Sequence, residues 1–205
     1  TINEFPPNLS DNWKLIHSCL NVITAECGLK NDNLEVIVAS INASTSVINA
    51  LGVKIIGFFP KIVPRCIEIW TNTKDNEVLE NEELQILQTS ILVLFSCLVK
   101  KMPAFLVSSL DKLLVITVSS EFVDSAIRSN LLHVIIEHMD SSALVKSLCN
   151  IWKEVSTFND AEVIGLYLNA VQLTVEKIDK KTAVKQATLF MKWLITDFEF
   201  SSKNE

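Results

Sequence analysis

The strongest constraint on the fold is the way apolar residues recur in this chain. They fall in long stripes with helical spacing, and the stripes come in pairs about forty residues apart. Trp13, Ile16, Leu20 and Ile23 follow i, i+3, i+7, i+10, one face of a helix. Leu34, Ile37, Val38 and Ile41 form a short second stripe. Val47, Leu51, Ile55 and Phe58 run up to Pro60, and Ile62, Val63, Ile67 and Trp70 follow it. Leu84, Leu87, Ile91, Leu94 and Leu98 are broken by Pro103 and continued by Leu106, Leu110, Leu113 and Thr117. Two further pairs follow: Ile127–Ile135 with Leu144–Val155, and Ile164–Ile178 with Val184–Phe198.

Only 4 Gly and 5 Pro interrupt 205 residues, too few for the tight turns of a sandwich or barrel. With 49% hydrophobic residues the chain has the material for a continuous core and is not of disordered composition. Phe105–Leu110 aligns with Ala143–Leu148 at an offset of 38, and Pro60 with Pro103 at an offset of 43. Two helices per repeat of about forty residues is the HEAT pattern, and a proline at the junction fits HEAT better than the three-helix armadillo unit. The expected fold is all-α, a HEAT-like α-solenoid of about five antiparallel helix pairs. The expected boundaries are a linker at 1–9, a HEAT-repeat segment at 10–200 and a polar tail at 201–205. Within the segment, pairs are expected at 10–42, 45–72, 80–119, 122–156 and 160–199.

Local signals place the ends of these helices. Pro6-Pro7 blocks an early helix, Ser10 and Asp11 offer N-caps, and Gly28 is a stop. Pro64 is expected in a first turn, Ser141 as a cap, and Asp160 and Asp179 as caps of the last pair. The β-branched run Val36-Ile37-Val38 also suits a strand. The chain begins at Thr1 rather than Met, and Trp193, Phe198 and Phe200 load its far end with apolar surface. Both features lead us to expect an excised piece of a longer solenoid that continues past Glu205.

The chemistry of sites is thin. No G-x-S-x-G, P-loop or G-x-G-x-x-G occurs. His133 and His138 are five apart, off the i, i+4 spacing of helical metal ligands, and His17 is isolated. Cys19, Cys27, Cys66, Cys97 and Cys149 form no C-x-x-C pair and lie in apolar runs, so all five are expected as reduced, buried thiols. The reading is therefore no catalytic, cofactor-binding or metal-binding residue, no cofactor, no enzyme, and a partner-binding surface that remains unassigned. No uninterrupted apolar stretch reaches about 18 residues, and no membrane partner is expected. Asn8-Leu9-Ser10 and Asn42-Ala43-Ser44 are taken as chance matches to a glycosylation pattern.

Net charge is -6, and Arg65 and Arg128 are the only arginines. Phosphate affinity comes mainly from Lys and Arg, so such a chain is a poor general nucleic-acid binder. The doublets Lys100-Lys101 and Lys180-Lys181 are read as helix-end or solvated cations. The acidic stretch 71–83 is read as a loop plus helix start, and the four tryptophans as core.

Three stretches resemble a known family. Leu98–Leu106, with Pro103 in it, is similar to that family's helix junction of paired aliphatics, Pro and Phe-Leu. Leu144–Trp152 is a second helix closing on Ile-Trp. Leu189–Leu194 leading to Phe198-Glu199-Phe200 is similar to the family's Leu-Phe, Leu, Phe-Asp-Phe-Arg ending, although Glu199 and Ser201 replace the acidic and basic residues of that pattern. The family is that of the large HEAT-repeat subunit of the small-subunit processome, a snoRNA-associated component of its UtpA (t-UTP) subcomplex. The resemblance covers residues 84–200 well and the front weakly. It implies a non-catalytic nucleolar scaffold for early processing of the 18S rRNA precursor. Its partners would be other processome proteins, and snoRNA and pre-rRNA association would be indirect for this acidic segment. It implies no cofactor and no small-molecule substrate. Two other classes of HEAT module compete. One is a tubulin-binding array, which would expose a Trp as in Trp70–Lys74. The other is a nuclear-transport receptor segment, which would hold basic cargo on acidic inner helices.

Overall fold

The structure, a computed structural model, describes residues 9–73 and 79–198. Every regular element among them is helical: α1 (Leu9–Ile23), α2 (Leu34–Leu51), α3 (Phe59–Thr73), α4 (Asn81–Lys101), the single turn α5 (Pro103–Leu106), α6 (Leu110–Ser119), α7 (Ser125–His138), α8 (Ser141–Val155), α9 (Ala161–Lys177) and α10 (Lys180–Trp193). A 3-10 stretch, Gly52–Phe58, joins α2 to α3, and a π-helical turn, Leu194–Phe198, follows α10. The chain is all-α and divides into two compact units, Thr1–Met102 and Pro103–Glu205.

In the first unit α1 lies against α2 and α3 against α4, while α2 and α4 make the most extensive helix–helix contact among the described residues. Helix pairs thus stack through their second members, the HEAT arrangement. Leu20, Ile41, Ile48, Leu87, Ile91 and Phe95 are fully buried there. Each such side chain contributes about 1.5–3 kcal/mol on leaving water. In the second unit α6 packs on α8 and α8 on α10, while α7 packs on α9, so the helices again alternate between two layers. Leu106, Leu132, Ile135, Leu144 and Val155 form its core. Nucleation is costly for isolated helices, and this tertiary burial is what stabilises the ten-residue α6.

Several boundaries differ from the sequence reading. Helix α2 runs unbroken through Asn42–Ser46, where a gap between helices is expected. The hydroxyls of Ser40, Ser44, Thr45 and Ser46 each donate to the carbonyl four residues back, at 2.7, 2.8, 2.9 and 3.1 Å. That satisfies the polar groups inside the helix and removes the reason for a break. The helix ends instead at Gly52, which has φ 52° and donates its N–H to the Ile48 carbonyl. Val36-Ile37-Val38 is helical.

Pro60 opens α3 rather than closing the preceding helix, and Pro64 therefore lies beyond the first turn. Pro103 opens α5 in the same way. Pro60 follows α2 and marks the step to the next pair rather than the junction inside one, and Pro103 opens the second unit. Asp140, not Ser141, caps α8 by accepting from the Ala143 N–H at 2.9 Å. Asp160 and Asp179 cap α9 and α10 as expected. Helix α1 is under way by Leu9, which puts Ser10 and Asp11 inside it, and Pro6-Pro7 lies outside the described residues.

Two stretches, Leu34–Thr73 and Asn81–Lys101, are long and apolar enough to pass as membrane spans by length and composition. The first is interrupted at Gly52–Phe58 and carries Pro60 and Pro64. The second buries most of its apolar residues within the unit and leaves Ile86 and Val93 exposed.

Candidate interaction surfaces

Residues able to do chemistry do not converge. His17 is exposed, its ring edge-on to Phe58 at 5.0 Å, and His133 and His138 are exposed on α7. Among the described residues no three of His, Cys, Asp and Glu gather as a metal site would require. The cysteines differ from expectation: Cys66 and Cys97 are buried and Cys149 is intermediate, but Cys19 and Cys27 are exposed. Cys19 sits on the outward face of α1, beside inward Leu20, and Cys27 lies in the turn after it, so their apolar neighbours in sequence are not neighbours in space. Burial pushes the Cys66 thiol up to about 12, only partly opposed by Arg65.

Both arginines and Lys177 are tied into the fold. Arg128 is 2% exposed. It donates to the Val118 carbonyl at 3.1 Å, closing the end of α6, and forms a short ion pair with Glu162 in the first turn of α9. Arg65 donates to the Leu29 carbonyl at 2.9 Å and pairs with Glu68 at 3.0 Å. Lys177 reaches from α9 to the carbonyls of Ile136, Glu137 and Met139 at the end of α7, with 3.0 Å to each of the last two. Cations are favoured at helix C-termini because the carbonyls there lack helical partners. Sequence reading missed Arg128 and Lys177 in these roles because their carbonyl partners lie ten and about forty residues away. Lys100-Lys101 closes α4 and Lys180-Lys181 opens α10, all four exposed.

Of the acidic stretch, Glu80, Glu82 and Glu83 start α4. Glu83 accepts from the Glu80 N–H at 3.1 Å in a capping box. Asp75 and Glu77 lie outside the described residues. Trp70, Trp152 and Trp193 are buried and Trp13 half-buried. Trp70 is therefore not the exposed aromatic that a tubulin-binding loop would present. Trp193 packs with Trp152, Tyr167 and Phe190 at centroid distances of 6.3, 6.5 and 5.3 Å. The exposed apolar residues near it are Val184, Met191 and Ile195.

The described residues line several concavities. A cleft of about 570 Å³ lies between the turn after α1 and the start of α3, edged by Lys30, Lys61 and Arg65 but also by Glu68. A groove of about 380 Å³ runs between α2 and α4, floored by Val38, Ala39 and Ile86 and flanked by Glu35 and Glu83. An apolar hollow of about 230 Å³ is formed by Val145 of α8, Val175 of α9 and Ala187, Phe190 and Met191 of α10.

No protein-family model matches the chain. Curated relatives do. U3 small nucleolar RNA-associated protein 10 of Meyerozyma guilliermondii is 48% identical over 195 residues, 95% of this chain and 10% of that protein. Its counterpart in Scheffersomyces stipitis is 49% identical over 196 residues, 95% of this chain and 11% of that protein. The protein of the same name in Saccharomyces cerevisiae is 39% identical over 176 residues, 85% of this chain and 10% of that protein. The chain belongs to the U3 small nucleolar RNA-associated protein 10 family. It spans about a tenth of the length of the curated relatives it matches. The matched length takes in the front of the chain as well as residues 84–200, where the sequence resemblance is concentrated.

Proposed function

We propose that this segment is a non-catalytic scaffold element of the small-subunit processome, supporting early processing of the 18S rRNA precursor through protein–protein contacts in the nucleolus. The observation that carries the reading is 48% identity over 95% of the chain to a relative named for association with U3 small nucleolar RNA. The fold supports it, since stacked helix pairs offer long ridges and grooves for recognition. In this reading residues 10–200 are one stretch of HEAT-type pairs, and the partners are other processome and UtpA proteins. The segment uses no cofactor, small-molecule substrate or membrane.

Association with snoRNA and pre-rRNA runs through neighbours. Net charge is -6, and both arginines are held by carbonyls and carboxylates of the fold. Strong phosphate binding needs several accessible cations. The test is affinity capture of the tagged segment from nuclear extract, followed by protein identification and quantification of U3 RNA. The expected outcome is co-purification of processome proteins with U3 RNA, the RNA leaving together with the proteins when they are stripped and purified U3 RNA not rebinding the segment by itself. Recovery of tubulin, or of basic cargo released by a small GTPase, would replace this reading with one of the other HEAT classes.

A further inference from the structure

The groove between α2 and α4 combines an apolar floor with two carboxylates, of which Glu83 also caps the N-terminus of α4. Ile86 is 56% exposed and Val93 46%, seven residues apart on one face of α4. Leu34, Val38 and Ala39 line the groove together with Ile86, and Asn42 closes the α2 side. Glu35 and Glu83 stand at one end. Among the described residues neither carboxylate takes part in an ion pair. Helix α2 has no Lys or Arg, and the cations of α4, Lys100 and Lys101, are about 26 Å from Glu83 along the helix.

We propose that this groove binds a peptide segment that sets one or two aliphatic anchors on the Val38–Ile86 floor and places Lys or Arg beside Glu35 and Glu83. Exposed aliphatics rimmed by polar residues are the mark of an interaction surface. The charge selects the occupant. Phosphate backbones and a second copy of this acidic chain are both repelled, whereas a basic segment is attracted and oriented. An assembly built on RNA supplies such segments, because proteins that neutralise phosphate are rich in Lys and Arg. The choice of partner class rests on the scaffold reading; the groove does not.

The experiment is fluorescence anisotropy on the whole 205-residue chain. The probe is a labelled peptide of about a dozen residues with leucines at i and i+4 flanked by lysines. Binding is expected at low salt and is expected to weaken as salt screens the carboxylates. Ile86→Ser should weaken it about tenfold and Glu35→Gln about threefold, as loss of an anchor and of one charge. Val53→Ser, at an exposed site outside the groove, should leave it unchanged, and circular dichroism should be the same for all three variants. The proposal is overturned by equal binding to all variants, by equal binding of the peptide with lysines replaced by glutamates, or by preference for single-stranded RNA. Self-association of the chain that Ile86→Ser abolishes would also overturn it. Failure here leaves the capture of U3 RNA from extract untouched, and failure of that capture leaves this measurement readable on the isolated chain.

Discussion

Arg128 shows how a side chain with the chemistry of an RNA contact becomes a structural tie. Its guanidinium is buried, whereas Glu162 keeps 55% of its side chain exposed. The two ends of this pair are therefore unequal. Glu162→Ala strands a buried cation and should destabilise the fold by about 3 kcal/mol. Arg128→Met leaves a carboxylate that water can solvate and should cost clearly less, about 1 kcal/mol, mostly from the Val118 carbonyl losing its donor. Chemical denaturation of both variants checks the order, and the reverse order would refute the assignment. The cysteines supply a second residue-scale prediction. Thiolate is the reactive form, and burial holds Cys66 as the thiol, up to about 12. Iodoacetamide at mildly alkaline pH should modify exposed Cys19 and Cys27 in the native chain and reach Cys66 only in denaturant, as read by peptide mass spectrometry.

At the scale of the elements, helix ends decide the architecture. The turn after α1 folds back so closely that a Cβ on Gly28 would lie 2.1 Å from the Ile23 carbonyl oxygen and 2.6 Å from that of Val22. Both atoms are backbone and cannot swing aside. The Leu29 N–H meets the same Ile23 oxygen at 2.7 Å. Gly28→Ala should therefore cost about 2 kcal/mol and lower the melting temperature by several degrees. Asp179 caps α10. Its carboxyl is held below its ordinary value first by the Thr182 backbone N–H, then by the Thr182 hydroxyl, with the Lys181 N–H adding to both. A depressed value in the folded state means that this contribution is fully present above the unfolded value of about 3.9 and is lost as pH falls through the folded one. Amide exchange at Lys181 and Thr182, corrected for intrinsic rate, should accelerate below about pH 4 in the wild type. In Asp179→Asn it should show no such transition.

At the scale of the whole molecule, the prediction concerns charge. The chain carries -6, and its two arginines are engaged. At physiological salt the isolated chain should not change the anisotropy of a short labelled single-stranded RNA at low micromolar concentration. A shift that falls steeply with added salt would return RNA contact to this segment itself.

Periodicity and local capping signals determined the fold class and the aspartate caps of α9 and α10, because amphipathic spacing and capping act within a few residues. The same local information misplaced the first pairs. The Ser/Thr-rich centre of α2 reads as a gap until its hydroxyls are seen bonded to the helix's own carbonyls. Pro60 reads as a break within a pair until the stacking of α2 on α4 shows that it separates pairs, and Pro103 turns out to open the second unit. What only the tertiary structure decided is which charges are spent and which are left over. Arg128 and Lys177 vanish into carbonyls contributed by distant helices, and Glu35 and Glu83, far apart in the chain, line one groove with Val38 and Ile86. Charge pairing depends on distance in space, and burial on neighbours from other helices; neither is written in the spacing of residues along one helix.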